Sequence, residues 1–399
     1  MNGLLTEQEL WDFPAFNTHC HHVRRESFRN ITLHKLLAMT YVRWIVPDYG
    51  DTVEGYRRTF TEMEANSYFR WWRAAIVRLY GDGRPLTPET WAWYDERVRQ
   101  AYCSAEDHNI SLLKNACGYE TILLDDYNDP GSDHGEAPLM KPVFRCDMFL
   151  NGYLPEKTDQ DHHSAWDLFV KTPSTLDEYT NAVRETVAAM VKKNIVGLKV
   201  AIAYQRSLAF SPDSEEGARK AFGNPAATPQ EQKAFGDYMM FRLAEIAAEC
   251  KVPLQIHTGL GALSESRAIG LRDLIHANPK TKFDLFHGSY PWCDDVLGLA
   301  HNYSNVYVNL CWMPILSTSR AAAFLREALE IVSTGRLLWG CDTWSAEESC
   351  GARMAMHHCL RTVLNEWIAD GVMSPDNARI CARRILRDNA AELYPSAHD

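Results

Sequence analysis

Short apolar runs rich in β-branched residues alternate with longer amphipathic segments through the second half of the chain. The runs predict five strands, at Val196–Ala203, Pro253–His257, Lys282–His287, Val306–Leu310 and Leu337–Cys341. The segments between and after them predict helices at Asp237–Cys250, Arg267–Ala277 and Ala321–Ser333, followed by two more toward the end. Apolar strands separated by amphipathic helices are typical of right-handed β-α-β crossovers, so the pattern predicts a parallel sheet.

Three earlier runs extend this alternation to eight strands. They lie at Ala15–His22, Thr121–Asp125 and Val143–Phe149. A capping hydroxyl before a proline marks two helix starts, at Thr228-Pro229 and Ser374-Pro375. Eight strands over 399 residues suit an α/β fold of the (β/α)8 TIM-barrel type better than an open doubly wound sheet. No Gly-x-Gly-x-x-Gly follows any predicted strand, which also disfavours a dinucleotide-binding sheet.

The stretch 28–118, after the first predicted strand, has helical patterns but no strand pattern. We therefore expect a single barrel over 1–399 that carries a helical insertion at 28–118. The insertion is rich in aromatic residues and arginines: Arg43, Trp44, Tyr68, Phe69, Arg70, Trp71, Trp72, Arg73, Trp91, Trp93 and Tyr94. These side chains either pack the insertion onto the barrel or form a lid whose arginines meet an anionic substrate, since loops at the carboxyl ends of barrel strands surround the active site.

Composition and charge narrow the class of protein. The chain has 46% hydrophobic and 23% charged residues, as globular proteins do. Lys+Arg 41 against Asp+Glu 52 gives a net charge of −11, so the positive surplus of a nucleic-acid binder is missing. We see no apolar stretch near the roughly 18 residues of a membrane span and no signal peptide, and we expect a cytoplasmic protein. Cysteines number 11, without a Cys-x-x-Cys pair, which argues against a disulfide framework and a zinc ribbon.

Candidate chemistry begins in the first predicted strand. In Thr18-His19-Cys20-His21 the period of two along a strand points His19 and His21 to the same side, where two imidazoles can bind one cation. A lone His-x-His is a weak signal, because histidines also occur in cores. Adjacent His22 has no evident role.

Polar residues at four later strand ends strengthen this signal. Lys199, His257, His287 and Asp342 each follow an apolar run that would otherwise be ordinary sheet core. Burying an ionisable group costs several kcal/mol unless it is paired or bound to a metal. Because the carboxyl ends of barrel strands meet at one mouth, the set predicts a shared site there.

Through these residues, the sequence resembles the amidohydrolase superfamily, in the branch that contains uronate isomerase, the amidohydrolase-2 family and the amidohydrolase-like part of glutamine-synthetase fusions. The resemblance runs from the His19/His21 strand to the terminal segment Ile385-Leu386-Arg387-Asp388-Asn389-Ala390. It implies that His19, His21, His257 and Asp342 hold a divalent metal, most often zinc, with manganese as another option.

The resemblance leaves the number of metals open. In binuclear members a carboxylated lysine on strand 4 bridges two metals, and histidines on strands 5 and 6 hold the second; Lys199, His257 and His287 match those positions. Mononuclear members use the strand-6 histidine as an electrophile or acid instead. A competing role for Lys199 is an unmodified ammonium that neutralises a substrate carboxylate.

These groups imply a reaction type. A bound zinc ion lowers the pKa of its water toward about 7 and polarises the substrate. Asp342 beside the cation is expected to have a lowered pKa and to act first as base and then as acid toward the leaving group. Catalytic roles are therefore expected for Asp342, His287 and Lys199.

Further residues in the same predicted loops are candidates for substrate binding: Arg145, Tyr204, Arg206, Tyr290, Trp292, Trp312 and Trp344. Arg145 could bind an anion with two hydrogen bonds. Trp312 and Trp344 could wall the pocket or stack on a ring. The pair Glu347-Glu348 could orient Arg353 or simply begin a helix, where negative charge is favourable.

The leading hypothesis is a metal-dependent hydrolase that attacks a C–N or C–O bond of a small anionic substrate. Isomerisation of a uronate is a second class, disfavoured because Thr343-Trp344-Ser345-Ala346-Glu347-Glu348 replaces the basic segment expected after the strand-8 aspartate. Decarboxylation of a carboxylic acid, and an inactive barrel used as a binding module, are the remaining alternatives. We expect a small-molecule partner, no nucleic acid and no membrane, and a homo-oligomer is compatible with the aromatic insertion.

Overall fold

A computed structural model describes residues 3–394 of the chain. Its centre is a sheet of eight parallel strands that lie side by side in chain order. They are β1 Ala15–Cys20, β2 Tyr119–Leu124, β3 Met140–Arg145, β4 Gly197–Val200, β5 Leu254–Ile256, β6 Phe283–Leu285, β7 Val306–Asn309 and β8 Leu337–Leu338. The expected (β/α)8 barrel is confirmed.

The segment that follows β8 closes the barrel against β1. The amide of Thr18 donates to the carbonyl of Trp339 at 3.3 Å, the amide of Asp342 to the carbonyl of His19 at 2.9 Å, and the amide of His21 to the carbonyl of Thr343 at 2.9 Å. These alternating bonds continue a parallel ladder beyond the two residues of β8. They also fix Asp342 directly beside His19 of β1 and beside His21, which follows that strand.

Helices surround the barrel and alternate with its strands in the second half. After β3 come α8 Asp147–Asn151 and α9 Leu176–Lys192; after β4, α10 Glu215–Ala221 and α11 Pro229–Glu249; after β5, α12 Arg272–Ala277; after β6, α13 Cys293–Asn302; after β7, α14 Met313–Leu316 and α15 Thr318–Ile331; and after β8, α16 Ala346–Ala369, α17 Pro375–Arg383 and α18 Asn389–Leu393. The two predicted helix starts are real: Thr228 caps α11 with a capping box and Ser374 caps α17.

Six helices lie between β1 and β2, and one short helix, α1 Glu7–Asp12, precedes β1. The six are α2 Leu33–Ala38, α3 Val42–Ile45, α4 Val53–Met63, α5 Ser67–Tyr80, α6 Trp91–Ser104 and α7 His108–Ser111. Most of their aromatic side chains are buried and pack on one another, as in the stack of Tyr56 on Trp91 at 3.9 Å. The insertion therefore has a core of its own that continues into the core of the barrel.

The base of the barrel is filled by the last described residue. Tyr394 is buried, its ring stacks near Phe16 of β1, and its hydroxyl donates to Asp284 of β6. Gln255 of β5 donates to the same hydroxyl at 3.0 Å, and Asn309 of β7 donates to Asp284 at 3.0 Å. This buried polar layer seals the end of the barrel opposite the predicted site.

Some predicted bounds are wrong in detail. The third strand was expected at Val143–Phe149 but ends at Arg145, because α8 begins at Asp147 and the apolar residues Met148 and Phe149 pack from a helix. No helix follows β2, where the loop 125–139 connects it directly to β3. Within 3–394, no helix has the length and apolar character that crossing a membrane would need.

Candidate active site

A cavity of about 220 Å³ opens at the carboxyl ends of the strands. Its inner part is lined by His19, His21, Lys199, His257 and Asp342, which the sequence singled out. All five are buried or nearly so. The strand ends thus bring His19 and Asp342, which are more than 300 positions apart in the chain, into one site.

The first group, which we call the corner, consists of His19, His21 and Asp342. Nε2 of His19 lies 3.3 Å and Nε2 of His21 lies 3.2 Å from the same oxygen, Oδ1 of Asp342. Nδ1 of His21 lies 2.8 Å from the carbonyl oxygen of Asp125 and must donate to it. The tautomer of His21 is therefore set, and in the neutral ring Nε2 presents a lone pair to a carboxylate.

The second group, which we call the flank, consists of His257 and His287 at the ends of β5 and β6. Nδ1 of His287 donates to the carbonyl of Cys311 at 3.1 Å, so its Nε2 accepts from Nδ1 of His257 at 3.0 Å. Burial lowers the pKa of His287 to about 4 and that of His257 well below its ordinary value, so both rings are neutral at pH 7. These two hydrogen bonds, which we call the relay, leave Nε2 of His257 as a buried lone pair without a hydrogen-bond partner among the described residues.

Lys199 lies between the two groups. Its Nζ sits 3.8 Å from the centre of the Phe286 ring, and no carboxylate of residues 3–394 comes within the 4 Å of an ion pair. Burial lowers the pKa of the ammonium, while the charges of Asp125 and Asp342 act to raise it. The amine of Lys199 therefore has no carboxylate in direct contact among the described residues.

Asp125, at the end of β2, is a site residue that sequence reasoning missed. It is fully buried and accepts two hydrogen bonds from Arg145, and Arg145 also donates to Asp161 at 2.8 Å. Burial alone would raise the pKa of Asp125, but Arg145 and His21 hold it below its ordinary range. Arg145 lines the cavity as expected, yet its guanidinium is already shared between two carboxylates.

The backbone is strained where the strands deliver these side chains. His287, Trp312 and Asp342 have φ of 65°, 68° and 60°, the left-handed region that costs side-chain-bearing residues about 1–2 kcal/mol. Such strain concentrates at functional sites. Next to His257, Gly259 has φ of 89°, and a Cβ there would lie 2.3 Å from the carbonyl oxygen of Tyr290, so only glycine fits.

The residues predicted to contact the substrate fall into two sets, one that lines the cavity and one that does not. Tyr204 and Trp344 line the cavity together with Arg145. Arg206 instead forms an ion pair with Asp237 of α11 and donates to the carbonyl of Lys233 at 3.2 Å, away from the cavity. Tyr290, Trp292 and Trp312 are not among its lining residues; Trp312 packs against the His287 ring, with 5.3 Å between ring centres.

The insertion contributes two aromatic side chains to the cavity, Tyr41 and Trp44, and the barrel loops contribute Tyr127. These contacts were not predicted individually. The amides of Tyr41 and Trp344 both donate to the buried carboxylate of Glu348, at 3.3 and 3.2 Å. One side chain therefore joins the insertion to the loop that follows Asp342.

The neighbouring glutamate holds a different part of the insertion. Glu347 accepts hydrogen bonds from the hydroxyls of Tyr80 at 2.5 Å and Tyr102 at 2.8 Å. Both glutamates lie in the first turn of α16, which confirms that they begin a helix. Neither orients Arg353, whose guanidinium donates to backbone carbonyls that include those of Leu10 at 3.0 Å and Gly118 at 3.1 Å.

The donor set fits a divalent cation of the zinc type. Zinc prefers imidazole nitrogen and carboxylate oxygen, and one geometric group of possible ligands is His19, His21 and Asp342. The lone pair of His21 facing a carboxylate oxygen is repulsive unless a cation or proton lies between them. The unsatisfied Nε2 of His257, in the same cavity, offers a third nitrogen and thus a fourth ligand. A second geometric group, His287, Cys311 and Asp342, is less favourable because His287 is engaged by His257.

Comparisons with known proteins bear on the family and the fold of this chain. The family model described as Amidohydrolase matches residues 171–396. Protein fluG of Emericella nidulans is 30% identical over 340 residues, which are 76% of this chain and 38% of that protein. The chain thus spans well under half the length of that relative.

Two solved structures share the fold. Uronate isomerase from Thermotoga maritima superimposes with a TM-score of 0.75 at 18% identity, covering 97% of this chain and 96% of that chain. A protein from Lactobacillus casei that is designated a metal-dependent hydrolase superimposes with a TM-score of 0.66 at 16% identity, covering 97% of this chain and 96% of that chain.

Proposed function

The chain belongs to the amidohydrolase family, and from that premise we propose that it is a metal-dependent hydrolase that cleaves a C–N or C–O bond of a small anionic substrate. His19, His21, His257 and Asp342 would hold one divalent metal, zinc in the first instance. Manganese or another divalent ion is the alternative. The partner is a small molecule, since the cavity holds only about 220 Å³.

The observation that carries this proposal is the corner. Two imidazole Nε2 atoms at the end of β1 approach a single carboxylate oxygen, from the segment after β8, at 3.3 and 3.2 Å, and the three side chains are almost fully buried. Hydrogen bonds of the other imidazole nitrogen commonly orient metal-binding histidines, and His21 has such a bond to the Asp125 carbonyl. Core packing alone does not require this arrangement.

A divalent cation in such a site acts as a Lewis acid and makes water a nucleophile near neutral pH. Asp342 would take a proton on its carboxylate and return it to the leaving group. Burial by itself would raise the pKa of Asp342, but the adjacent imidazoles of His19 and His21 hold it well below its ordinary value. The carboxylate is thus ionised at pH 7, as the base role requires.

The flank would orient one ligand rather than hold a second metal. His287 fixes the tautomer of His257 through the relay that ends at the Cys311 carbonyl. For His287 to bind a metal through Nε2, this hydrogen bond would have to break. The relay therefore supports a site with one metal, and in that case Lys199 is an ammonium rather than a carbamate.

Lys199 would bind the anionic group of the substrate. Asp125 and Asp161 already engage Arg145, whereas the ammonium of Lys199 has no carboxylate in direct contact. A carboxylate on the substrate would provide the missing charge-assisted hydrogen bond. The substrate's scissile bond would then lie on the corner side of that ammonium.

The proposal is tested by metal analysis combined with product mass. Protein purified from zinc-replete growth should contain one metal per chain, and His19→Ala should lose it, with His276→Ala, an exposed histidine on α12, as the matched control. Active substrates from a panel of amides, lactones and carboxylic acids should gain the elements of water. Products of unchanged mass would indicate isomerisation, and loss of carbon dioxide would indicate decarboxylation. Absence of metal together with absence of turnover would support a binding module instead.

A further inference from the structure

The cavity has an outer part that the proposed chemistry does not use. Five aromatic side chains line it: Tyr41, Trp44, Tyr127, Tyr204 and Trp344. Two come from the helical insertion, Tyr127 follows β2, Tyr204 follows β4 and Trp344 follows β8. Because these elements are separate in the chain, no single local packing requirement accounts for their meeting at the mouth.

The rings form a wall that begins at the imidazoles, with Tyr127 and Trp344 beside His21 and with Tyr204 beside His257. Trp344 stacks on His21 with 6.0 Å between ring centres and 29° between planes, and Tyr204 lies 4.5 Å from the His257 ring. Tyr41 lies 4.8 Å from both Trp344 and Trp44. A substrate group that extends outward from the corner or the flank therefore meets aromatic surface.

On one side of the wall, hydrogen bonds hold the backbone of two of the aromatic residues. The amides of Tyr41 and Trp344 are held by the two oxygens of Glu348, which is buried. The side chain of Ser345 in turn accepts from the amide of Glu348 at 3.3 Å. Rings fixed in this way lose little conformational freedom when a ligand binds, which favours affinity.

The wall is also incompletely covered. Trp44 remains 62% exposed and Tyr204 46% exposed, although both contact other rings of the cavity. Exposed aromatic surface that continues into a concave site is typical of a ligand-binding groove. The ion pairs of Arg145 with Asp125 and Asp161 leave the outer part without a free charged group on that side.

We propose that this aromatic mouth is a subsite for a planar unsaturated ring of the substrate, with Trp44 as a specificity-determining residue. The inference rests on the proposed function, because the metal-binding corner and Lys199 would hold the polar end of the same molecule. Flat rings gain from offset or edge contacts with aromatic neighbours, whereas puckered rings gain less. The cavity volume of about 220 Å³ matches one ring with a short polar substituent.

The test uses three probes that share one carboxylate and one six-membered ring. Benzoate is flat, cyclohexanecarboxylate is puckered and apolar, and glucuronate is puckered and hydroxylated. Calorimetric titration of the metal-replete full chain should show benzoate binding about fivefold more tightly than cyclohexanecarboxylate, within the range of an aromatic pair. Glucuronate should bind more weakly than benzoate.

Variants locate the preference at the mouth. Trp44→Ala should reduce the benzoate preference to less than about twofold, and Trp44→Phe should restore most of it. Trp93→Ala is the matched control, since Trp93 lies on α6 and packs against Arg84 and Arg97 instead of the cavity. This control should retain the wild-type preference.

Three results would overturn the subsite: equal affinity for the flat and puckered rings, tighter binding of glucuronate, or no binding of any probe. An unchanged preference in Trp44→Ala would remove the role of Trp44. Metal content measured on the same samples separates the two proposals. A benzoate preference in a chain that retains no metal would contradict the proposed hydrolase and support the ring subsite. One metal per chain without a benzoate preference would contradict the ring subsite and support the metal site of the proposed hydrolase.

Discussion

The corner and the flank of the site contain the same residue type in different electrostatic settings. In the corner, the imidazoles of His19 and His21 converge on a carboxylate oxygen, so a positive charge between them is favourable. In the flank, the imidazole of His287 is bonded to the imidazole of His257 and to a carbonyl, so a charge on either ring is unfavourable. The comparison teaches that histidines at successive strand ends need not be equivalent ligands. What the second nitrogen of each ring contacts decides its role.

The largest expected effect separates binding of the metal from its use. Asp342→Asn keeps the shape of the corner but removes the proton-accepting charge. We expect kcat on any substrate found in the panel to fall by about 10³-fold, because general acid–base groups contribute at this level. Metal content should fall far less than turnover. A variant with a near wild-type kcat would contradict the role of Asp342.

The next effect compares the two groups directly. Removing His21 from the corner should weaken zinc affinity by more than about 100-fold, the upper range for partners that only orient a ligand. Replacing His287 by alanine in the flank should cost about 10–100-fold, because it frees the tautomer of His257 without removing a ligand. Competition with a chromophoric chelator measures both. Equal losses would show that His287 is itself a ligand, and a fall from two metals to one would show a binuclear site.

Acid stability provides a smaller test of the flank. The folded-state pKa of His287 is about 4, below the ordinary 6.5, so the unfolded chain binds more protons in that window and stability rises with pH from about 4 to 6.5. For His287 the difference between pH 5 and pH 7 is roughly 2 kcal/mol. Urea unfolding of the metal-free protein at both pH values should show this loss at pH 5. His287→Gln should show a pH dependence smaller by about that amount, and an identical dependence would refute the neutral, buried ring.

The smallest expected effect concerns Lys199. If the lysine is an ammonium that binds the substrate, Lys199→Met should leave the metal content at one per chain and should raise KM for anionic substrates. The carbamate alternative requires both a loss of metal in this variant and a dependence of activity on added bicarbonate. Metal analysis and kinetics with and without bicarbonate distinguish the two.

Sequence reasoning succeeded where a residue's position follows from its strand. His19, His21, Lys199, His257 and Asp342 all line the cavity, because the end of a parallel barrel strand always lies at the same mouth. Asp125 gave the same signal, a charged residue after the apolar run of β2, and could have been found in this way. The eight strands and their order were predictable for the same reason.

Predictions from the sequence failed where contacts between distant parts of the chain set the direction in which a side chain points. Arg206 follows Lys199 by only seven positions, yet Asp237 of α11 draws its guanidinium away from the cavity. Tyr41 and Trp44 enter the site from the insertion, and their placement depends on contacts with Glu348 and Trp344 that no local pattern reveals. A loop's length constrains its reach, but its path is decided by what it packs against.

Tyr394, which fills the base of the barrel, affects how molecules enter and leave the cavity. Because Tyr394 and its hydrogen-bonded neighbours occlude the far end, the cavity opens, within residues 3–394, between the insertion and the strand ends. If the chain is a hydrolase as proposed, the product would leave by the route that the substrate takes. The product would then compete directly with the substrate for entry to the cavity.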